Sequence, residues 1–529
     1  MKKSTKLLAL VLALSTVAPI AACGTVVEEA VPEDRIEIKI SLYSGGYGTE
    51  WMDNLISHVN KKQETYWYTR LEDNKTASDE ITGRIMGDRI DADIYFTTPA
   101  DVEELVINKK LESLKEVYEY TPEGESLTIK EKTRGYDMYE KYLSDTDGVY
   151  VMPTQYEVNG LVYDHDLFIK NGWLRTDSNT ASGLTKGSDG VEGTYDDGLP
   201  ETYAQFKNLV EQISADQCTP FIYADQVGFS QMRFFLEGVW GQYEGEENYN
   251  VGASYNGTYI SPSTGKQTSV TPAEGWKVYA NNLQEGRWKA MQLASELLKG
   301  SKYMYDDQKG LSHTDAQGIY IISHKSQSRI AMLFDGGWWE NEAKRPFAED
   351  AKENGEGYAF GKRDFRMMPA PSFDGQVESS NGKHYFSGGV GGSAFAVKQS
   401  DEVKRKGVID FFKEYASDWN CKQYTKSSGC MLPFKYEMTK EEMGTISKYA
   451  QNAFEILSSE STVLISNYWQ EKGINLPIIP ERWGNVVIDG ATHGSHWLAL
   501  NASGVTFNMY KDGVLNRTYT QANWGEKTN

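Results

Sequence analysis

Aromatic residues that stand beside glycines and carboxylates are the side chains of this chain best suited to binding chemistry. Residues 335–340 read DGGWWE and combine an acceptor, a glycine turn and two adjacent indoles. A sugar ring has C–H patches on its faces and hydroxyls around its edge, so its site needs flat apolar platforms and directional polar groups. Adjacent side chains diverge, so we expect one indole to face a ligand and the other to pack. The segment predicts sugar contacts from Asp335, Trp338 and Trp339.

Further aromatic and hydroxyl side chains follow predicted strands or stand next to glycines, where a side chain can reach a cleft. The additional candidates for ligand contact are Tyr47, Trp51, Thr97, Tyr223, Trp240 and Trp483. Packing in the core is the alternative for each of them. Core packing is favoured for five other tryptophans: Trp276, Trp288, Trp419, Trp469 and Trp497.

An acidic, glycine-rich loop is a candidate metal site. Residues 186–198 read KGSDGVEGTYDDG, and oxygen donors on a glycine-permitted loop are the ligands that calcium prefers. The loop lacks EF-hand spacing, so a metal-free Asp/Gly turn is the alternative. If calcium binds, we expect Asp189, Asp196 and Asp197 to hold it and to stiffen the loop. No cofactor is expected to be required for function.

The N-terminus is similar to a bacterial lipoprotein signal. Lysines precede an apolar run that is shorter than the roughly 20 residues of a spanning helix and is interrupted by Pro19. Residues 20–24, IAACG, resemble a lipobox, in which the thiol of Cys23 receives the lipid. Residues 1–22 are then a signal peptide and residues 23–35 a tether, with the protein on the extracellular face of the membrane. An ordinary signal peptide cut nearby is the alternative.

Composition and charge exclude several classes of partner. The chain has 529 residues, 75 acidic against 54 basic, with a formal charge of −21. Such an acidic surface repels phosphate backbones and anionic headgroups, so nucleic acid is not an expected partner and the membrane is contacted only through the lipid. Four cysteines are too few for a disulfide scaffold. Whether Cys421 and Cys430 are joined stays open.

Motifs for several catalytic classes are missing from the sequence. It contains no P-loop, no Gly-x-Ser-x-Gly elbow, no His-Glu-x-x-His and no dinucleotide fingerprint. We therefore expect a binding protein rather than an enzyme. A glycoside hydrolase, however, needs only two carboxylates across a cleft, and 75 acidic residues leave that pair open. An extracellular, lipid-anchored glycoside hydrolase or lyase is the rival interpretation.

The elements that must position these residues alternate between strand and helix. Apolar residues alternate from Ile36 to Leu42, a glycine break follows, and Met52, Leu55 and Val59 then recur at helical spacing. Residues 92–96 form a second predicted strand before another helix. This alternation predicts an α/β sheet with parallel strands, in which ligands bind beyond the carboxyl ends of the strands.

Four segments together resemble family 1 of the bacterial extracellular solute-binding proteins, which are related to maltose-binding protein. They are residues 91–96 (DADIYF), 151–168 (VMPTQYEVNGLVYDHDLF), 199–206 (LPETYAQF), and the pair formed by 337–338 and 388–397 (GGVGGSAFAV). The second segment is the most specific, and the order of the four spans nearly the whole chain.

The resemblance implies a two-lobed, periplasmic-binding-protein-like α/β fold of type II, with a ligand cleft between the lobes. It places the crossings between lobes near residues 155–158, 383–387 and 430–433, which adds Tyr156 and Ser387 to the candidates for ligand contact. The implied N-terminal lobe comprises residues 36–155 and 386–430. The implied C-terminal lobe comprises residues 156–385 and 431–529, with insertions at 175–198 and 249–270.

The resemblance also implies a function. A monomeric, lipid-anchored protein would capture a carbohydrate, in our interpretation an oligosaccharide, by hinge closure and deliver it to the permease subunits of an ABC importer. Aromatic residues make up 12% of the chain, and this richness without a basic cluster favours a neutral ligand. A binding protein for a non-sugar solute and a surface glycan adhesin remain alternatives.

Overall fold

The structure is a computed structural model. It describes residues 30–72, 78–98, 100, 102–141, 148–224, 230–279, 284–300, 302–306, 310–465 and 486–517. Cys23, the signal peptide, most of the tether, Trp469 and Trp483 lie outside these residues. Within them, no helix combines the length and the hydropathy needed to cross a bilayer.

The strands, in chain order, are β1 (Ile36–Leu42), β2 (Tyr66–Arg70), β3 (Ile94–Thr97), β4 (Gln155–Asp164), β5 (Thr219–Ile222), β6 (Gly257–Ile260), β7 (Gln267–Val270), β8 (Ile330–Gly336), β9 (Phe365–Met368), β10 (His384–Gly391), β11 (Ser393–Ala396), β12 (Thr462–Ile465), β13 (Val486–Ile488) and β14 (Ala491–His493).

The helices are α1 (Glu50–Lys62), α2 (Ser78–Met86), α3 (Glu103–Ile107), α4 (Lys115–Tyr118), α5 (Ile129–Lys132), α6 (Tyr136–Lys141), α7 (His165–Asn171), α8 (Tyr203–Ala215), α9 (Ser230–Ser254), α10 (Trp276–Tyr279), α11 (Glu285–Leu293), α12 (His313–Ile322), α13 (Trp339–Glu342), α14 (Lys344–Asn354), α15 (Glu402–Tyr415), α16 (Asp418–Ser428), α17 (Lys440–Met443), α18 (Lys448–Ser458), α19 (His496–Asn501) and α20 (Phe507–Arg517).

The N-terminal lobe is built on a four-stranded sheet with the order β11-β3-β1-β2. β1 pairs parallel with β2 and β3, and β11 adds an antiparallel edge. The alternating residues Ile38, Ile40 and Leu42 of β1 are buried, which agrees with the predicted strand. α1, α15 and α16 pack together on this lobe. A turn of 3-10 helix, Gly45–Tyr47, leaves the carboxyl end of β1.

The C-terminal lobe has a larger mixed sheet with the order β12-β10-β4-β8-β5, to which β9 adds by pairing with β4. The first half of β4 pairs antiparallel with β10 and the second half with β8 and β9. One face of this sheet packs toward α12, α14 and α18, and the other toward α8, α9 and α11. Helices on both faces of the sheet give the three layers of an α/β domain.

The structure moves two of the three implied crossings later along the chain. β10 stays in the C-terminal sheet up to Gly391, because it pairs with β4 and β12, so the second crossing lies at residues 391–393 rather than 383–387. Gly392 has φ +65° there, a conformation that favours glycine. The third passage begins where Met431 meets Tyr156 and extends to the start of α18.

Both implied insertions lie on the C-terminal lobe. Residues 175–198 are tied to the start of β10 because Tyr195 and Ser188 hydrogen bond to the two ring nitrogens of His384. The hairpin β6–β7 is shorter than expected, because α9 continues to Ser254 before the hairpin starts. α20 packs on α11, covering Trp288 with Tyr510. Cys421 and Cys430 are free thiols.

Candidate functional site

The glycine turn after β8 is held from beneath by a buried carboxylate. Asp335 is fully buried; its Oδ1 accepts the Gly336 N–H at 2.8 Å, and its Oδ2 accepts from Gln317 Nε2 at 3.0 Å. Burial raises the pKa of Asp335 to about 7, against the lowering effect of those donors. In this structure Asp335 therefore supports the turn and is not exposed to a ligand, in contrast to the acceptor role predicted for it.

The two adjacent indoles of the turn diverge. Trp338 is half-buried at the boundary between the lobes and stands edge-on to Phe234 and Tyr47, with ring centroids 6.1 and 6.3 Å away. Trp339 is fully buried and packs edge-on to Phe365 at 5.1 Å. The structure places Trp338 at the cleft and Trp339 in the core.

A carboxylate from the first crossing faces this turn. The side chain of Glu157, on β4, accepts from the Tyr47 hydroxyl and, at 3.5 Å, from Asn159 Nδ2. Asn159 Oδ1 in turn accepts the Gly337 N–H at 3.2 Å. Burial raises the pKa of Glu157 to about 7. A carboxylate, an amide and two aromatic rings thus converge where the lobes meet.

A second polar group lines the same end of the C-terminal sheet. Ser387 Oγ donates to Glu237 Oε2 at 3.0 Å, and Arg233 Nε lies 3.5 Å from Glu237 Oε1. Ser387 and Glu237 are both buried. Their hydrogen bond fixes the start of α9 against β10, beside the rings of Phe234 and Trp338.

Several predicted ligand contacts are buried away from the cleft. Trp51 is 4% exposed and packs on Tyr424 in the N-terminal lobe. Tyr223, 2% exposed, stands edge-on to Trp497. Trp240 is fully buried, with its indole N–H on Glu244 Oε2 at 2.6 Å. These side chains are core residues in this structure because large rings of the same lobe cover them.

Two other candidates lie closer to the cleft. Thr97 ends β3 opposite Ser393, and its buried hydroxyl makes no hydrogen bond among the described residues. Tyr156 is half-buried in the crossing, under the guanidinium of Arg134 at 4.8 Å. Its hydroxyl donates to Leu457 O at 3.3 Å, so it ties the crossing to α18. Trp483 lies outside the described residues.

The geometry adds residues that sequence analysis missed. Glu157 lay inside the most specific family segment, but nothing distinguished it from the other acidic residues before Tyr47 was placed beside it. Asn159, Phe234 and Asn341 gave no local signal, since each gains its role from a neighbour far along the chain. A polar residue flanking a predicted crossing is the one pattern that could have pointed to Glu157.

The acidic loop is occupied by its own hydrogen bonds. Asp196 accepts from the Ser188 N–H at 2.7 Å and from Thr194 Oγ1 at 2.8 Å, and lies 3.1 Å from His384 Nε2. Although burial opposes it, the bond and charge of His384 hold the pKa of Asp196 below its usual value. Among the described residues no three His, Cys, Asp or Glu side chains are grouped to hold a metal. Calcium binding by Asp189, Asp196 and Asp197 stays a prediction.

The remaining loop carboxylates are similarly arranged. Asp189 Oδ1 accepts the Val191 N–H at 2.7 Å, and Asp197 Oδ2 accepts the Gly193 N–H at 2.7 Å. The second oxygen of Asp197 is buried without a hydrogen bond in the described part of the chain.

Solved structures with a similar fold were found by comparison. The apo form of RafE from Streptococcus pneumoniae is similar with a TM-score of 0.57 and 13% sequence identity, covering 92% of this chain and 99% of that one. The fold is that of the two-lobed solute-binding proteins. The prediction of a type II, two-lobed α/β fold is thereby confirmed.

Two further solute-binding folds agree with this result. RafE in complex with raffinose has a TM-score of 0.55 at 13% identity, covering 91% of this chain and 99% of its own. A chitin oligosaccharide binding protein has a TM-score of 0.52 at 14% identity, covering 93% and 100%. The sequence itself matches no protein-family model and no curated protein. At these identities the likeness concerns the solute-binding fold.

Proposed function

We propose that this chain is the solute-binding component of an ABC importer and that it captures a carbohydrate in the cleft between its lobes. The observation that carries the proposal is the convergence of Trp338, Tyr47 and Glu157 at the lobe boundary of a solute-binding fold. The indole of Trp338 supplies the apolar platform, and the carboxylate of Glu157 accepts hydrogen bonds from sugar hydroxyls. The arrangement of the lobes with the sugar between them is then the signal to the permease.

The chemistry of the cleft supports a neutral, hydroxyl-rich ligand. Glu157 has a pKa raised to about 7. Near neutrality it can therefore accept hydrogen bonds from hydroxyls as a carboxylate, or donate a hydrogen bond to a hydroxyl as a protonated acid. The similar folds support the same ligand class: one was solved in complex with raffinose, and another is a chitin oligosaccharide binding protein. An oligosaccharide is the ligand we propose.

The location and assembly of the protein complete the proposal. Extracellular placement agrees with a similar fold described as a secreted solute-binding lipoprotein from Streptomyces coelicolor. We propose lipid attachment at Cys23 on its resemblance to a lipobox, and a monomeric state and docking on permease subunits on the resemblance to solute-binding proteins. Mass spectrometry of the membrane-extracted protein tests the lipid directly, since a diacylglycerol on Cys23 adds a defined mass.

A thermal-shift screen tests the binding function. Raffinose, chitotriose, xylotriose and maltotriose would be added to the full chain carrying Cys23→Ser, because a ligand that binds only the folded state raises Tm by mass action. We expect at least one sugar to raise Tm. Trp338→Ala should lose that shift, whereas Trp419→Ala, which removes an exposed ring stacked on His58 of α1, should keep it.

The same screen separates the rival functions. Chromatography of the sugars after incubation detects a glycoside hydrolase or lyase, because the sugar would be consumed. If no sugar shifts Tm and none is consumed, the carbohydrate proposal fails and a non-sugar solute takes its place. A shift that survives in Trp338→Ala would place the sugar elsewhere on the molecule.

A further inference from the structure

A four-residue turn of the N-terminal lobe reaches across the lobe boundary. Residues 45–48, which we call the strap, read GGYG and follow β1. Gly45 has φ +48° and Gly48 has φ +70° with ψ −177°, and such values favour glycine. The strap therefore owes its shape to the absence of side chains at its ends, and that shape brings its backbone onto the C-terminal lobe.

The strap makes a direct hydrogen bond to the other lobe. Asn341 Nδ2, on α13, donates to Gly46 O at 2.7 Å. Asn341 is buried, so this bond is shielded from water and its loss would leave a buried carbonyl without a donor. Such a loss is costly in proteins.

The strap also covers the proposed sugar platform. A Cβ built on Gly46 would lie 2.3 Å from Cδ1 of Trp338, closer than any real contact. The backbone of Gly46 is therefore packed against the pyrrole half of the indole. A Cβ on Gly336 would lie 2.4 Å from the benzene half. Backbone thus lies against both halves of the ring that the proposed function assigns to sugar.

The third contact engages the proposed hydroxyl acceptor. The Tyr47 hydroxyl donates to Glu157, so a hydroxyl of the protein itself occupies one carboxylate oxygen. The strap thus offers Glu157 a hydroxyl donor and offers Trp338 an apolar contact. These are the two interactions that a sugar ring would make in the same place.

We infer that the strap is an internal competitor of the ligand: it closes the free protein onto Trp338 and Glu157, and a sugar must displace it to bind. The closed free state and the sugar-bound state then use the same surface of the C-terminal lobe. The apparent affinity for sugar is the intrinsic affinity multiplied by the fraction of molecules whose strap is released. Weakening the strap should therefore strengthen sugar binding, although it removes contacts between the lobes.

The conformational part of this inference is tested without any sugar. Spin labels on Ile107→Cys and Ile169→Cys, exposed positions on α3 and α7 of opposite lobes, report the interlobe distance in the full chain with Cys23→Ser and Cys218→Ser. We expect a short distance in this parent protein and a longer one after Gly46→Ala or Asn341→Ala. A long distance in the parent, or no change in either variant, would overturn the inference.

The competition between strap and sugar rests on the proposed function. It is tested with whichever of the four screened sugars raises Tm. Asn341→Ala should lower the dissociation constant by about 2- to 10-fold, the range expected for the loss of one hydrogen bond from the competing state. Weaker binding by Asn341→Ala would show that the strap contact belongs to the sugar-bound state, and would refute competition.

A matched control removes a different contact between the lobes. Lys344 Nζ donates to Ser427 O at 3.0 Å and lies 4.0 Å from Glu50, both in the N-terminal lobe. Lys344→Met should leave sugar affinity unchanged or reduce it, because this contact does not compete with sugar. An equal gain in Lys344→Met and Asn341→Ala would mean that general opening, not the strap, explains the effect. If no sugar binds, the proposed function fails while the distance measurement still decides the closed state.

Discussion

Two regions of the molecule share one sequence pattern and use it in opposite ways. Residues 237–240 read EGVW and residues 335–338 read DGGW, each an acid, a glycine and a tryptophan. In the first, Trp240 is fully buried and its indole N–H is bound by Glu244. In the second, Trp338 stays half-buried at the lobe boundary while Asp335 is buried beneath it.

The difference lies in the element that carries each pattern. Residues 237–240 are inside α9, where Glu244 is one helical turn after Trp240 and can meet its N–H. Residues 335–338 start with the last two residues of β8, a central strand, and continue past its carboxyl end, where the chain turns. Trp338 therefore stays half-buried where the sheet ends, whereas Trp240 is packed inside a helix that continues through it.

Among the variants that test this comparison, the largest expected effect is a loss of protein stability in Trp240→Ala. Trp240→Ala should lower the free energy of unfolding by about 3–5 kcal/mol, the range for deleting a large buried ring, and it removes one donor from buried Glu244. Urea denaturation followed by circular dichroism measures this change. Sugar affinity of the folded fraction should stay at the parent value; a lost affinity would return Trp240 to the list of ligand contacts.

Trp338→Ala should affect binding more than folding. We expect a 10- to 100-fold weaker dissociation constant, about 1.4–3 kcal/mol, as for a central aromatic anchor. The measurement is isothermal titration calorimetry with the sugar that raises Tm. Because the ring is only half-buried, its stability loss should be well below that of Trp240→Ala. A larger stability loss than Trp240→Ala would contradict the division of roles.

The pH dependence of stability sharpens the comparison between the two carboxylates. Burial raises the pKa of Glu244, on the packed side, to about 7, so the folded state holds a proton that the unfolded state releases near pH 4.5. The stabilisation is complete below pH 4.5 and is lost as pH rises through 7. The free energy of unfolding should therefore fall from pH 5 to pH 8.

Glu244→Gln should flatten that fall by about 1–3 kcal/mol and leave sugar affinity unchanged. Glu157→Gln should flatten it by a similar amount, because the pKa of Glu157 is also raised to about 7, and it should in addition weaken sugar binding. Urea titrations at pH 5, 6, 7 and 8 compare the variants. An unchanged slope in Glu244→Gln would mean that this carboxylate is ionised in the fold throughout the range.

The smallest expected effect concerns the acidic loop. Its carboxylates accept hydrogen bonds from the loop and from His384, so adding calcium or EDTA should move Tm by less than about 1 °C, since no binding energy is gained or removed. Differential scanning fluorimetry with 5 mM of either reagent, roughly saturating for an extracellular calcium module, is sufficient. A rise of several degrees with calcium that is abolished by Asp196→Asn would restore the metal hypothesis.

Strand periodicity and the family segments predicted the architecture from the sequence, but long-range pairing set the boundaries. The strand from Ile36 to Leu42 was predicted as it is observed, because its alternation is local. The end of β10 was not predicted correctly, because it depends on pairing with residues 462–465 of β12, which keeps β10 in the C-terminal sheet.

The candidate site was only partly predictable for the same reason. Trp338 carries a local signal, a glycine turn after an apolar strand. Glu157 does not, because its environment is made by Tyr47, about 110 residues earlier in the chain. Trp240 was assigned to the cleft because the sequence showed the glycines on either side of it and not the helix that runs through them.

The order of strands in the two sheets also bears on how the chain is made. β3 cannot pair with its neighbour β11 until about 300 further residues have been synthesised. Likewise, β10 cannot pair with β12 until residues 462–465 have been synthesised. The sheet of the N-terminal lobe cannot be completed before Ala396 is made, nor that of the C-terminal lobe before Ile465, and high contact order slows the closure of such sheets. We therefore expect the nascent chain to remain unfolded until late, a state in which a translocation channel can still thread it.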